Sequence, residues 1–343
     1  MHLELEVDEW LEARDKFDLL IDARSPHEYA YSHIKGSRNF YALNDEEHKI
    51  TGTLYKSNKS QAKLSGAAYV CNNIASHLPK IAELARVGAL VGTYCARGGM
   101  RSASISNVLD LIGYRVLRLK GGYKAYRTYA QEYLQKPLKC GLITLFGGTG
   151  SYKTKLIEAL NPAINLEKMA NHLGSVFGDI NGVQPSQKAF EDELFESLRV
   201  LENDVVFIEG ESRRIGSLTL PASLYAAMGS GVGVHIVASL ERRVECTMMD
   251  YKGVTPEFFH ICMAKISPFI SKEARDDAIK FFSLGELEKV CEILLVKYYD
   301  KVYKAPRKVD FIINADDFNS AKNELLALRD EILSKHKDKK TPY

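Results

Sequence analysis

Residues 93–102 constrain the fold more than any other stretch of this sequence. An apolar run over residues 87–94 leads into Cys95, then two glycines and Arg101, after which apolar residues recur at the spacing of an amphipathic helix. This pattern places Cys95 where a buried strand turns into a helix N-terminus, the point at which free backbone N–H groups and the helix dipole converge. We therefore predict a strand–loop–helix unit built around one cysteine.

Three residues of this loop, Cys95, Arg97 and Arg101, are the catalytic candidates. Helix N-terminal amides and guanidinium groups favour the thiolate, which is the nucleophilic form of cysteine. Gly98 and Gly99 let the backbone curl round the sulfur without Cβ clashes. The loop can thus hold an anion, or a sulfur or selenium atom carried on the cysteine. A buried structural cysteine is the alternative, and the crowded glycines and arginines favour the reactive interpretation.

The composition of the chain excludes several classes of protein. Its 343 residues suffice for two domains that each bury a core, and a net charge of +2 neither indicates nor excludes a nucleic-acid partner. Six scattered cysteines without paired ligand spacing argue against a disulfide framework or a zinc site, so we predict no metal site. We find no signal peptide and no apolar stretch long enough to span a bilayer, so we expect a cytoplasmic protein without membrane association.

Alternating strands and helices predict a parallel α/β sheet in a first domain over residues 1–132. Residues 41–70 are a long polar insertion with only a weak helical signal, and such insertions are usually functional or mobile. The remaining predictions for this domain are strands at 17–23, 87–94 and 115–119 and a helix at 75–85.

A second α/β domain is predicted over residues 138–343, after a polar linker. It opens with an apolar strand at 141–146, a glycine-rich loop and a helix, which is the form of a P-loop: backbone amides make an anion nest, a lysine supplies charge and a hydroxyl reaches phosphate. Tyr152 replaces the usual glycine before the lysine, which keeps phosphate binding but argues against ordinary ATP hydrolysis. The phosphate-binding candidates are Gly148, Thr149, Gly150, Ser151, Lys153 and Thr154.

Further strands in this domain are predicted at 204–209, 234–238 and 311–314, followed by a helix at 321–333 and a solvated, lysine-rich tail. Ligands bind at the carboxyl ends of strands in open α/β sheets, and a cluster of both charges follows strand 204–209. We take this cluster as a candidate site, with a solvated salt-bridge turn as the alternative. Its members are Glu209, Glu211, Arg213 and Arg214.

The first domain resembles the rhodanese family in several motifs, including Ile21-Asp22-Ala23-Arg24-Ser25, the Cys95 loop and Leu119-x-Gly121-Gly122-Tyr123. The resemblance implies a doubly wound domain whose loop cysteine carries a transferred chalcogen, and in which an ion pair between Asp22 and Arg24 braces the loop. The spacing from Cys95 to Arg101 is the longer one seen in rhodanese-like phosphatases. Those enzymes generally have histidine before the cysteine, where this chain has Tyr94.

One further segment, which contains Asn171, His172 and Ser175, does not follow from general P-loop features. Together with other motifs it extends the resemblance over nearly the whole chain. Ala-Asn-His-x-Gly-Ser at 170–175, Gln-Pro-Ser-Gln at 184–187 and Glu-x-Glu-Ser-Arg-Arg-Ile-Gly at 209–216 are similar to the tRNA 2-selenouridine synthase family. That family joins the two kinds of domain in this order. The implied fold is an N-terminal rhodanese-like doubly wound domain followed by a P-loop NTPase-like α/β domain.

The resemblance implies a two-stage tRNA-modifying transferase acting on the wobble uridine of the anticodon loop. Geranyl diphosphate would S-geranylate 2-thiouridine, and selenophosphate would then replace the S-geranyl group with selenium. We expect no tightly bound cofactor, although Mg²⁺ could accompany the phosphates. The alternatives are a rhodanese-like phosphatase or sulfurtransferase fused to a P-loop kinase-like domain, and a tRNA-binding module that does not require its cysteine. The candidate tRNA contacts in the first domain and its insertion are Lys56, Lys120, Lys124 and Arg127, with Arg97, Arg213 and Arg214 as further candidates.

Overall fold

The computed structural model describes residues 3–303 and 308–338, and the chain divides into two compact units. Unit 1 comprises Met1–Tyr133 and Glu191–Glu196, and unit 2 comprises Leu134–Phe190 and Ser197–Tyr343. Parallel sheets flanked by helices form the framework of each unit, as predicted for an α/β protein.

Strands and helices alternate along unit 1. In chain order they are β1 (Leu3–Leu5), α1 (Val7–Ala13), β2 (Leu19–Asp22), α2 (Pro26–Tyr31), β3 (Arg38–Asn39), α3 (Asp45–Ser57), α4 (Lys59–Leu84), β4 (Leu90–Tyr94), α5 (Met100–Leu111), β5 (Arg115–Leu119) and α6 (Gly122–Gln135).

The sheet of unit 1 has the strand order β1-β5-β4-β2-β3, and all of its pairings are parallel. Strand β4 lies in the centre, where Tyr94 pairs with Asp22 of β2 and Thr93 with Arg118 of β5. Because the strands run in one direction, the carboxyl ends of all three meet at one edge. This edge is where the cysteine loop begins.

Packing in the core of unit 1 fixes the position of α5, the helix that follows the cysteine loop. Ile105 and Leu109 are one helical turn apart and pack in one cluster with Ile21 and Val91 of the sheet. Each such side chain contributes about 1.5–3 kcal/mol when it is fully buried. The helix start, and with it the cysteine loop, is therefore fixed against the sheet.

The insertion at 41–70 is more regular than its sequence indicated, because α3 and the first half of α4 occupy it. Asn44 begins α3 with a capping box in which Glu47 reciprocates, and the Asn58 side chain caps α4 by accepting from the backbone N–H of Gln61. Gly66 lets the two helices approach, since a Cβ there would lie 3.1 Å from the Thr51 methyl group. The weak helical signal over residues 61–70 is confirmed by α4, whereas α3 was not predicted, because an exposed helical hairpin carries little apolar periodicity.

Unit 2 begins with a strand and continues with the glycine-rich loop. In chain order its elements are β6 (Gly141–Phe146), α7 (Lys153–Ala159), β7 (Ala163–Ile164), α8 (Leu166–Ala170), α9 (Gln187–Val200), β8 (Val205–Glu209), β9 (Arg214–Ile215), β10 (Leu218–Thr219), α10 (Ala222–Ser230), β11 (Val232–Val237), α11 (Leu240–Asp250), α12 (Pro256–Ile266), α13 (Lys272–Ser283), α14 (Leu287–Leu294), α15 (Asp300–Val302), β12 (Phe311–Asn314) and α16 (Phe318–Asp338).

The main sheet of unit 2 has the order β12-β11-β6-β8-β7 and is also parallel throughout. Strand β6 is central, so the loop that follows it opens at the carboxyl edge between β8 and β11. Ile143 and Leu145 of β6 pack with Leu156 of α7 and with α16 in one core, while α12–α14 form a second cluster around Phe259 and Leu294. The small β9–β10 ribbon is antiparallel.

Most predicted elements of the two sheets are confirmed. The strands at 115–119, 141–146 and 311–314 have the predicted bounds, and the others differ by a few residues at their ends. The C-terminal helix is longer than predicted and ends at Asp338, so the last five residues of the predicted lysine-rich tail lie outside the described part of the chain.

Between residues 3 and 338, leaving out 304–307, no helix combines the length and apolarity needed to cross a membrane.

Candidate functional site

Cys95 lies at the end of β4, directly before the loop that leads into α5. Its Sγ accepts hydrogen bonds from the backbone N–H of Gly99 and from the hydroxyl of Ser102, each at 3.2 Å. Two donors directed at one buried sulfur stabilise negative charge on it, so the loop is suited to a thiolate or to an anion bound in its place. No sequence motif marks Ser102 as a donor, although its position in the first turn of α5 is a signal for one.

The two loop arginines have different environments. Arg101 forms a salt bridge with Glu28, at 2.5 Å between Nη1 and Oε2. Burial acts to raise the pKa of Glu28, but the hydrogen bond and charge of Arg101 outweigh it and the net pKa is below its ordinary value. Arg97 is exposed at the loop surface. Arg101 thus fixes the loop to α2, and Arg97 is the loop cation that faces solvent.

The N-terminus of α6 holds the cysteine loop from the other side. The backbone N–H of Tyr123 donates to the carbonyl of Cys95 at 2.8 Å, and that of Lys124 donates to Ala96 at 3.0 Å. Gly122 has φ +60°, and a Cβ there would overlap the Cys95 carbonyl and lie 2.5 Å from the Gly98 nitrogen. Only glycine permits this approach, which explains the glycine pair at 121–122.

A buried ion pair braces the same loop, as the rhodanese resemblance implied. Arg24 binds Asp22 at 2.6 Å and its guanidinium lies 4.0 Å from the centre of the Tyr123 ring. Tyr94 is fully buried, and its hydroxyl accepts from the Ile34 N–H at 3.1 Å and bonds Ser37 at 2.9 Å. The predicted pairing of Asp22 and Arg24 is confirmed, and Tyr94 is a structural anchor.

The glycine-rich loop of unit 2 borders a cavity of about 1100 Å³. Five of the six predicted phosphate-binding residues line it, while Gly148 does not. The Lys153 ammonium donates to the carbonyls of Gly147 and Gly148 at 2.7 and 3.2 Å, which holds it across the loop. Arg243 supports the loop from outside by donating to the Thr149 carbonyl at 3.0 Å, a contact that no sequence motif indicated.

Tyr152 adopts the backbone conformation that the missing glycine would supply. Its φ of 66° and ψ of 8° are left-handed, which is rare for a bulky residue. The ring is buried, its hydroxyl bonds Glu245 at 3.3 Å, and the Arg242 guanidinium lies 5.1 Å from its centre. These contacts offset a strain of roughly 1–2 kcal/mol. The loop therefore keeps a P-loop-like path in spite of the substitution.

Two carboxylates converge beside this loop. Glu167 accepts a hydrogen bond from the Thr154 hydroxyl at 2.8 Å, and a Cβ on Gly174 would lie 2.5 Å from Glu167 and 3.1 Å from Glu211. Burial and the charge of Glu211 raise the pKa of Glu167 to about 7, although Lys153 opposes the shift. Burial likewise raises the pKa of Glu211. Both groups line the cavity, and of the two only Glu211 is among the residues predicted from the sequence.

Glu209 has a different role from its neighbour. It is fully buried at the end of β8, and its Oε2 accepts from the backbone N–H groups of Leu166 and Glu167 at 2.6 and 3.1 Å. Glu209 therefore fixes the start of α8, and through it the position of Glu167. The following arginines, Arg213 and Arg214, are exposed and do not line the cavity.

The Ala-Asn-His motif stabilises a loop, and only its last predicted member reaches the cavity. Asn171 has a left-handed backbone and its side chain donates to the carbonyls of Asn181 and Val183, both at 3.1 Å. His172 is buried and its Nδ1 accepts from the Gly174 N–H at 3.1 Å. Ser175 lines the cavity and bonds the hydroxyl of Tyr251 at 2.7 Å.

Part of the cavity wall is formed by aromatic and aliphatic side chains that no sequence motif had indicated. A π-helical turn, Leu295–Tyr299, brings two of them to the wall. The cavity thus combines an anion-binding end with an apolar surface. The apolar and aromatic residues of this wall are Tyr225, Met228, Tyr298, Tyr299, Val302 and Tyr303.

The four candidate tRNA contacts of unit 1 do not share one environment. Lys56 and Lys124 are exposed, and Lys120 is exposed but paired with Glu6. Arg127 is buried and pairs with Asp192 at 2.5 Å and with Glu191 at 2.6 Å. Burial and two carboxylates leave its guanidinium no surface for an RNA phosphate, so we correct the prediction and assign Arg127 to the interior.

Within the described ranges, no group of three or more His, Cys, Asp and Glu side chains has an arrangement suited to holding a metal ion by itself.

Fold and sites together define a rhodanese-like unit followed by a P-loop-containing unit. The family model of the rhodanese-like domain matches residues 6–129, and that of the tRNA 2-selenouridine synthase AAA domain matches residues 140–262. The chain is 32% identical over 339 residues to the tRNA 2-selenouridine synthase of Hydrogenovibrio crunogenus, covering 87% of this chain and 92% of that protein. The chain therefore belongs to the tRNA 2-selenouridine synthase family.

Other relatives match over a shorter span. The tRNA 2-selenouridine synthase of Pseudomonas syringae pv. tomato is 35% identical over 238 residues, which is 68% of this chain but only 65% of that protein. A solved structure, the N-terminal domain of a putative ATP/GTP binding protein from Clostridium difficile 630, is 38% identical. It covers 36% of this chain and 96% of its own, with a TM-score of 0.34.

The close approach at Gly122 leads to a first prediction. We expect G122A to destabilise unit 1 by more than about 2 kcal/mol, because a left-handed alanine is strained and its methyl group displaces the cysteine loop. G99A is the matched control, since a Cβ there meets nothing within 4 Å and its φ is −89°. Thermal unfolding of both variants measures the difference, and equal stabilities would contradict this account of the loop.

The raised pKa of Glu167 makes stability depend on pH. An unfolded chain ionises this carboxyl near its ordinary value of 4.5, whereas the folded protein keeps it protonated up to about 7. The folded state binds the extra proton between those values, so the free energy of unfolding falls as pH rises through this window. We expect the E167Q variant not to lose this stability as pH rises. Its free energy of unfolding should gain on that of the wild type by up to about 1.4 kcal/mol for each unit of pKa shift.

Urea denaturation of metal-free protein at pH values of about 5 and about 8 tests this prediction. E167Q should gain stability over the wild type at the higher pH relative to the lower, whereas E257Q, at an exposed position of α12, should show no such change. A difference between E167Q and wild type that stays constant with pH would exclude the assigned shift.

Proposed function

We propose that this protein converts the wobble 2-thiouridine of tRNA to 2-selenouridine by way of S-geranyl-2-thiouridine, using geranyl diphosphate and selenophosphate. The proposal rests on two dissimilar candidate sites in a chain of this family: a cysteine loop in unit 1 and, in unit 2, a cavity that joins a phosphate-binding loop to an apolar wall. A tRNA substrate would place the protein in the cytoplasm.

The cavity of unit 2 is the proposed site of geranylation. The loop amides and Lys153 would bind the diphosphate and neutralise its charge as it leaves, while the wall around Tyr225, Met228 and Tyr298 would cover the geranyl chain. The thiocarbonyl sulfur of the base then forms a bond to geranyl C1 as the C1–O bond breaks. Diphosphate departs, and the base loses its N3 proton to solvent.

Mg²⁺ fits this end of the cavity. It is usually held by one or two protein carboxylates together with water and substrate phosphates, so it does not need a complete cage of side chains. The side-chain oxygens of Thr154, Glu167 and Glu211 would hold the ion beside the loop. When bound, Mg²⁺ would supply positive charge to the diphosphate leaving group.

The cysteine loop of unit 1 is the proposed site of selenium transfer. The Gly99 N–H and the Ser102 hydroxyl converge on the position of the Cys95 sulfur, and Arg97 adds an exposed positive charge for the selenophosphate anion. Selenium attacks C2 of the geranylated base, the C2–Se bond forms, the C2–S bond breaks and geranylthiol departs after protonation. The Cys95 thiolate then attacks phosphorus, its S–P bond forms as the Se–P bond breaks, and water hydrolyses the S–P bond and releases phosphate.

Mass spectrometry of nucleosides tests the proposal directly. Purified protein and 2-thiouridine-containing tRNA, incubated with each donor alone and with both, should yield S-geranyl-2-thiouridine with geranyl diphosphate and 2-selenouridine only after selenophosphate is added. Unmodified tRNA in every reaction, together with phosphate release from a phosphatase substrate, would instead support the rhodanese-like phosphatase.

Replacing the loop thiol should separate the two stages. We expect C95A to fold normally, because the change removes little volume, but to lose 2-selenouridine formation while it still makes the S-geranyl product. C71A, at an exposed position of α4, is the control and should keep both products. Selenouridine formation by C95A at the wild-type rate would reduce Cys95 to a packing role.

Removing the P-loop charge should weaken donor binding. We expect K153A to bind geranyl diphosphate with a loss of about 1.5–3 kcal/mol, the range for a charge-assisted hydrogen bond. K168A, at an exposed site of α8 outside the cavity lining, should bind normally. If calorimetry shows unchanged affinity for geranyl diphosphate but a collapse for ATP, the cavity binds a nucleotide and the assignment fails.

A further inference from the structure

The hairpin formed by α3 and α4 carries an unusual distribution of charge. Residues 48–82 contain five lysines and no aspartate or glutamate, although the whole chain has 44 acidic against 46 basic residues. Four of these lysines, Lys49, Lys56, Lys59 and Lys63, lie on either side of the turn at Asn58. We call these four residues the lysine tip.

The lysine tip is exposed, and its ammonium groups form no ion pairs with the residues that the structure describes. All four side chains are exposed, and none forms an ion pair with any residue in the described parts of the chain. Lys80, nearer the other end of α4, instead pairs with Glu83 at 2.8 Å. A merely solvated helix usually intersperses the two signs at helical spacing, so the tip needs an explanation other than solubility.

The tip also lies away from the core of unit 1. The first residue of α4 that packs against this core is Val70, about eleven residues from Lys59, which corresponds to roughly 16 Å along a helix. The two helices support each other near the tip through the contact of Gly66 with Thr51. The hairpin thus holds its four charges on an ordered support that the core does not require.

The chemistry of the tip fits RNA. Lysine ammonium groups bind phosphates through charge and counterion release. Tyr55, which lies between Lys49 and Lys56 in the sequence, is half-exposed. The Lys59 ammonium lies 5.9 Å from the centre of the Tyr55 ring, so an aromatic surface lies beside the positive charges. Exposed Ser57, Asn58 and Gln61 make the surface round the turn polar, although their side chains also form hydrogen bonds within the hairpin. An acidic protein partner would match the charge but would not use this aromatic and polar surround.

We propose that the α3–α4 hairpin is an RNA-docking arm, in which the lysine tip binds the tRNA sugar–phosphate backbone outside the two reaction sites. This inference rests on the proposed function, because tRNA is the substrate assigned there. It adds a surface that neither site contains, and it assigns the polar insertion the task of holding the substrate.

The test measures tRNA binding by fluorescence anisotropy over a series of KCl concentrations, with the full-length protein and a labelled tRNA. The quadruple variant K49Q/K56Q/K59Q/K63Q should bind roughly tenfold more weakly or worse at low salt, and its log–log salt slope should be smaller by roughly two to three. A matched control, K272Q/K280Q/K289Q/K301Q, removes the same charge from exposed positions of unit 2 and should keep the wild-type slope.

Single charge reversals guard against an indirect effect. K56E and K59E should each weaken binding, while their circular dichroism melting curves should match the wild type. An unchanged slope in the quadruple variant, or an equal loss in the control, would overturn the docking arm. If the wild-type protein binds no tRNA, the proposed function fails. If the wild type binds tRNA and the quadruple variant binds it equally well, only the docking arm is excluded.

Discussion

Backbone N–H groups at the carboxyl end of a central parallel strand are the feature on which both candidate sites depend. In unit 1 the chain leaves β4 and reaches α5 through a loop whose amide donates to the sulfur of Cys95. In unit 2 it leaves β6 and reaches α7 through a glycine-rich loop that borders the cavity. A parallel sheet exposes such donors because the strands around the loop all end at the same edge.

Holding these loops requires buried polar groups. Arg24 pairs with Asp22 beside the rings of Tyr94 and Tyr123, and Glu209 accepts from two backbone N–H groups at the start of α8, which carries Glu167. Each arrangement costs desolvation and is stable only because the partners are well placed. Tyr152 is a comparable case, since its packing offsets a strained backbone. The sites are therefore positioned by interactions that do not themselves touch a substrate.

The two sites differ in the chemistry that they suit. The cysteine loop offers a soft sulfur with donors around it, which is suited to a small anion that carries selenium or sulfur. The cavity of unit 2 offers amides, Lys153 and an aromatic wall, which suit a larger molecule with an anionic and an apolar end. The proposed reaction, with its two stages and two dissimilar donors, would need such a pair of sites.

The sequence by itself determined the two α/β units, most of their strands, and the positions of Cys95 and the P-loop lysine. Such features are local, because strand periodicity, glycine loops and helix starts are written in consecutive residues. Tertiary structure alone decided that Arg101 pairs with Glu28, that Arg127 is buried and that Glu167 joins Glu211 at the cavity. These outcomes bring together residues distant in the chain, and which charge meets which partner depends on packing that no local pattern records.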